Sequence, residues 1–128
     1  MVEYAGLADK SNGLSADSQR HLTRTAIAVN ADVRITVLRC SLHPDVAGPY
    51  AEGALRPCER LTEGQVFISK GASMPDGFCT WAWADVHKYV LVIARGGNHD
   101  GRRPGTNVAC CSDGYRPVIF AIERIEPT

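Results

Sequence analysis

The residues of this chain best suited to chemistry are its five cysteines, Cys40, Cys58, Cys79, Cys110 and Cys111, because a thiolate is both a nucleophile and a soft-metal ligand. Their spacing is wide: 17 residues lie between Cys40 and Cys58, 20 between Cys58 and Cys79, and 30 between Cys79 and Cys110. No Cys-x-x-Cys knuckle occurs, so zinc has no local signature and no metal is expected. A metal site would have to gather Cys58, Cys79 and the inward member of the Cys110-Cys111 pair, with His43 or His87 as fourth donor. Three separately packed thiols are the plainer reading. Adjacent residues on a strand point to opposite faces, so only one of Cys110 and Cys111 turns inward.

Cys79 opens a helical stretch, a position where a thiol is well placed to attack, and it is the first choice of nucleophile. Packing as a small apolar side chain is the competing reading. His87 lies eight residues on, about 12 Å along a continuous helix, which excludes a Cys79–His87 dyad. His87 is instead an acid–base candidate, since histidine titrates near neutrality, and Arg116 is its candidate partner on an acidic substrate. A boundary histidine held by hydrogen bonds would look the same. Trp83 and Tyr115 are expected to line the binding pocket, with Arg95 and Arg102 to hold a carboxylate. The arginines flank a glycine-rich segment from Gly96 to Gly101 that lacks the GK[ST] ending of a phosphate loop and reads equally well as a solvated loop. No cofactor motif occurs, so the expected ligand is a small molecule and the expected cofactor none.

These side chains must be positioned by a small set of elements. Val33 to Leu38 alternates apolar and polar residues and is rich in β-branched types, the signature of a strand with one buried face. Gln65 to Ser69 is a second strand. Between them Pro44, Gly48-Pro49, Gly53 and Pro57 predict a long irregular connection. From Cys79 to Arg95 there is no Gly or Pro, and Gly96-Gly97 then ends a helix. A 100° step places Cys79, Trp83, Val86, Val90, Ile93 and Ala94 in one apolar sector, with Trp81 and Val92 nearly opposite. Asn107 to Cys111 and Pro117 to Ile125 flank Asp113-Gly114, a hairpin signal in which Asp113 serves the turn. The expected fold is α+β, a mostly antiparallel four-stranded sheet packed by one long helix.

The 128 residues suit one domain, and 45% hydrophobic with 22% charged residues predicts a folded chain. Residues 33–128 form the expected domain and residues 1–32 an extension, in which Ser15 could cap a helix carrying Leu22, Ala26 and Val29. Fourteen basic and fourteen acidic residues give no net charge, which argues against nucleic acid as a partner. No apolar run reaches about 18 residues and no leader-like start is visible, so neither membrane insertion nor secretion is expected. An odd number of cysteines at low density points to a reducing, cytoplasmic setting.

Glu63-Gly64-Gln65-Val66-Phe67, the run Gly77-Phe78-Cys79-Thr80-Trp81-Ala82-Trp83-Ala84-Asp85, Gly96-Gly97-Asn98, and the hairpin from Ala109 to Phe120 together carry a resemblance. From about Val33 onward the chain resembles a family of small uncharacterised cysteine-containing domains marked by a GFC-x-WAWAD helix and a CxDG-x-RPV-x-F hairpin. The resemblance implies that Cys58, Cys79 and one of Cys110 and Cys111 are the family cysteines, and it implies no reaction. The extension and Arg102-Arg103 look particular to this chain.

The leading expectation is a small cofactor-independent enzyme, an isomerase, cyclase or lyase of specialised biosynthesis, acting on a small organic acid. The alternatives are a cysteine-ligated metal-binding or redox module and a protein-interaction domain. Trp81, facing away from the sheet beside Val92, predicts an apolar patch covered by a second copy in a homodimer or by Leu22 and Ile27 of the extension.

Overall fold

The computed structural model describes residues 30–126. The expected helix at Ser15 to Val29, and the cover offered by Leu22 and Ile27, lie outside them. The elements run β1 (Val33–Cys40), α1 (Pro44–Ala47), β2 (Val66–Ser69), α2 (Thr80–Ala94), β3 (Thr106–Cys110) and β4 (Val118–Arg124). The four strands form one sheet in the order β2-β1-β4-β3, and every neighbouring pair is antiparallel. This is the expected α+β arrangement, with the single turn of α1 added beside the long helix.

Alternation along the strands makes one face of the sheet apolar, and α2 covers it. Val33, Ile35 and Val37 of β1 meet Val118, Phe120 and Ile122 of β4 there, all fully or almost fully buried. From α2 the buried side chains are Ala82, Val86, Val90, Ile93 and Ala94. The helical sector is thus centred nearer Ala82 than expected. Trp83 and Cys79 fall at its edge, half-buried, because Phe78 already fills the space under the first turn, edge-on to Phe67 with ring centroids 4.9 Å apart and to Trp83 at 6.0 Å. Trp81 points away and is 72% exposed, as the projection requires.

The end of α2 is a Schellman closure. Gly96 has φ +86°, its amide donates to Ile93 O at 3.2 Å, and the Gly97 amide donates to Val92 O at 2.9 Å. A Cβ on Gly97 would stand 2.8 Å from Val92 Cγ1, so the second glycine is required by close packing. Arg124 locks this end to β4 by donating from Nη1 to Ile93 O and Gly97 O, each at 3.0 Å. The long connection between β1 and β2 is less irregular than its Pro and Gly content predicts. Pro44 starts α1, and Ala47 and Leu61 are buried.

Candidate functional site

A β-bulge decides where the first thiol points. Val37 pairs with Phe120 and Arg39 with Ile119, so Leu38 is the extra residue, and the inward alternation restarts at Cys40 opposite Val118. Without the bulge, Cys40 would face outward with Leu38 or Thr36. It packs against the core instead, and its thiol donates to Leu61 O at 3.5 Å. Burial first, and then the neighbouring Cys58, Glu63 and Cys111, push the Cys40 thiol above its ordinary value.

Above Cys40 a cleft of about 550 Å³ opens between the first turns of α2, the 58–61 segment and the β3–β4 turn. Cys58, Cys79 and Cys111 all line it, joined by Arg60, Asp113 and Arg116, with Trp81 and Asp85 on the helical wall. Each thiol arrives by a different route. Cys79 is the N-cap of α2, with no side-chain capping bond, so its sulfur is not tied to the helix end. Cys111 follows β3, and its Sγ accepts the Val118 amide at 3.2 Å. Cys58 sits in the connection after Pro57. All five cysteines are free thiols, and Cys110 is exposed where Cys111 is half-buried, so the adjacent pair diverges as the strand geometry requires. Cys79 is half-buried in the cleft wall rather than enclosed in the core.

The turn that forms one wall is built around Asp113. Its Oδ1 accepts the amides of Tyr115 at 3.3 Å and Arg116 at 3.2 Å, and its Oδ2 accepts Arg116 Nε at 2.9 Å. Burial alone would raise the Asp113 carboxyl. The Arg116 guanidinium and the two amides outweigh it and hold the carboxyl below its usual value, while the same contact raises Arg116. The turn is fastened to α2 by the Ser112 amide, which donates to Asp85 Oδ2 at 2.8 Å.

Asp85 also borders a second, more polar cleft of about 480 Å³ with Lys88, Tyr89, His99, Arg102 and Asn107. There Arg102 Nε donates to Asn107 Oδ1 at 2.9 Å, and His99 Nε2 is buried without a hydrogen-bond partner.

The expected site residues therefore separate. Cys79 and Arg116 meet in the first cleft and Arg102 lies in the second. His87 lines neither: it is exposed, its ring tilted 30° over Trp83 with centroids 4.8 Å apart. Tyr115 contributes its carbonyl, which accepts the His43 amide at 2.7 Å, and its ring borders neither cleft. Arg95 is exposed at the C-terminal end of α2, and His43 is exposed before α1. Arg60 and Asp85 were not among the expected site residues. Arg60 lies in a segment with no periodicity, where its nearness to Cys58 in sequence was the only signal, and Asp85 reads as solvated until its bond across 27 residues to Ser112 is seen. Among the described residues, no three His, Cys, Asp or Glu side chains are gathered so as to hold a metal ion. No helix among the described residues is long and apolar enough to cross a membrane. No family model matches the chain, and neither a curated protein nor a solved structure matches it.

Proposed function

We propose that the protein is a cysteine-based redox module whose cleft thiols exchange with a small disulfide. The observation that carries the reading is that Cys58, Cys79 and Cys111, far apart in sequence, open as free thiols into one cleft. The resemblance to the small cysteine-containing domains implies Cys58, Cys79 and one of Cys110 and Cys111 as the family cysteines, a set compatible with this one. In the exchange, the Cys79 thiolate attacks one sulfur of the bound disulfide, the ligand S–S bond breaks and the first small thiol leaves. Cys58 or Cys111 then attacks the Cys79 sulfur of the mixed disulfide, the second small thiol leaves and the protein holds a disulfide. The small disulfide is the oxidant. Arg60 at the cleft wall offers a guanidinium to a ligand carboxylate, a better donor than Arg116, whose charge Asp113 already opposes.

The acid–base reading, an isomerase, cyclase or lyase acting on a small organic acid, has less support, because His87 and Arg116 share no cleft. A cytoplasmic setting fits the redox reading, since a reducing compartment restores the dithiol.

Incubation of the full chain with 2-hydroxyethyl disulfide, followed by intact-mass and peptide mapping, tests the proposal. The expected product has lost two hydrogens, contains a disulfide joining two of Cys58, Cys79 and Cys111, and has released two small thiols. The Cys79→Ser variant is expected to slow this at least tenfold. Modification confined to exposed Cys110 would overturn the reading. So would stoichiometric zinc that survives dialysis and protects the three thiols, which would make them ligands instead.

A further inference from the structure

The sheet has a second face, turned away from α2, and its side chains are unusually apolar for one left open. Leu38, Val66, Ile68 and Val108 on it are 46%, 51%, 38% and 48% exposed, and Ile119 and Ala121 lie half-buried between them. The strand register arranges these side chains in rows. Thr36 is opposite both Val66 and Ala121, and Ala121 is opposite Val108, giving the row Val66–Thr36–Ala121–Val108 across β2, β1, β4 and β3. Two residues along lies the row Ile68–Arg34–Glu123–Thr106.

We propose that this face is the contact between two copies of the chain. The order of residues within each row is the reason. Consider a two-fold axis in the plane of contact, parallel to the strands and running between β1 and β4. It lays β1 over the partner's β4 and β2 over the partner's β3. Arg34 then meets the partner's Glu123 while Glu123 meets the partner's Arg34, Thr36 meets the partner's Ala121, and Val66 meets the partner's Val108. Among the described residues Arg34 and Glu123 form no ion pair within 4 Å, and the contact brings four charges into a square of alternating sign. These two rows are self-complementary, which is what an isologous interface needs, while in the next row exposed Arg39 lies over the partner's Ile119 at the end of the contact. Sheets stack about 10 Å apart at about −30°. That twist spoils register far from the axis, and the charged pairs lie on the two strands nearest to it.

The size of the face sets the strength of the contact. Four strands about 4.8 Å apart, paired over about five residues of about 3.4 Å rise, offer roughly 330 Å² per copy. Two such faces fall below the roughly 1,200 Å² of stable complexes, so the dimer is weak and concentration-dependent. Trp81 is not part of this contact: it lies across the molecule, on the wall of the thiol cleft.

Sedimentation equilibrium of the full chain from about 10 μM to 1 mM tests the proposal, the range matching an interface of this size. The wild type is expected to pass from monomer to dimer across the range. Arg34→Glu and Glu123→Arg are each expected to raise the dissociation constant at least tenfold, since each sets like charges against each other in its own homodimer. An equimolar mixture of the two variants is expected to recover association, because Arg34→Glu presents two carboxylates to two guanidinium groups. Mixing leaves the charges within each chain unchanged, so recovery separates pairing between chains from altered folding. Val108→Lys, at an exposed edge position, is expected to weaken the dimer without involving either charge. A wild-type monomer at 1 mM overturns the proposal, as does a dimer that ignores the charge variants and dissociates on Trp81→Ser. Failure of the mixture to associate overturns the two-fold register.

Discussion

Asp113 gives the sharpest test of how the cleft wall is held, because one carboxylate closes the turn and opposes the charge on Arg116. Replacing it with alanine removes two amide–carboxylate hydrogen bonds and one ion pair. The Asp113 and Arg116 side chains are 32% and 43% exposed, so the ion pair is worth only about 0.2–1 kcal/mol after solvent screening. The amide bonds, at 3.2 and 3.3 Å, are at the long end of the range, and their donors can turn to water in the variant. They are each worth about 0.5 kcal/mol, the low end for a protein hydrogen bond. Asp113→Ala is therefore expected to cost about 1–2 kcal/mol at pH 7, roughly 5–15 °C in Tm for a domain of this size. Asp113→Asn keeps an acceptor oxygen for the turn and is expected to cost less than half as much. The carboxyl is depressed in the folded state, so its contribution is present above the unfolded value near 4 and is lost as pH falls through the folded value. Urea unfolding of the three proteins at pH 7 and pH 2.5 measures both effects. An alanine cost below about 0.3 kcal/mol at pH 7, or one that does not shrink in acid, would refute the reasoning.

Cys40 should give the opposite pH dependence. Its thiol is raised in the folded state, so the stability tied to the neutral thiol is complete below the ordinary value near 9 and is lost as pH rises through the folded value. Cys40→Ala is expected to flatten the alkaline limb of a Tm–pH profile above about pH 9, and an unchanged limb would remove Cys40 as its source. Arg124→Met should free the carbonyls of Ile93 and Gly97 and cost about 2–4 kcal/mol, from two charge-assisted bonds at 14% side-chain exposure. Amide hydrogen exchange should then rise first at the C-terminal turn of α2, and uniform acceleration across α2 would contradict a local cap.

The four strands and the long helix are legible in the sequence because each carries a local signal, whereas the single turn of α1 lies in a stretch that reads as irregular. Alternation in Val33 to Val37 gave one buried face, Gly96-Gly97 ended the helix at its Schellman closure, and Asp113 marked the turn whose amides its side chain satisfies. The 100° step was enough to place Trp81 on the outer side of α2. It was not enough to place Trp83, because whether an aromatic at the edge of a sector is buried depends on what already fills the layer, here Phe78. Which thiols meet was a matter for the tertiary structure alone. Cys40 turns inward through a bulge that adds one residue against β4, a mismatch between two strands that neither strand records. Cys58 comes from a segment without periodicity, and its approach to Cys79 and Cys111 depends on where Leu61 anchors in the core. His87 and Arg116 separate for the same reason: their roles depended on distances between a helix and a turn, and spacing along a chain fixes distances only within one element.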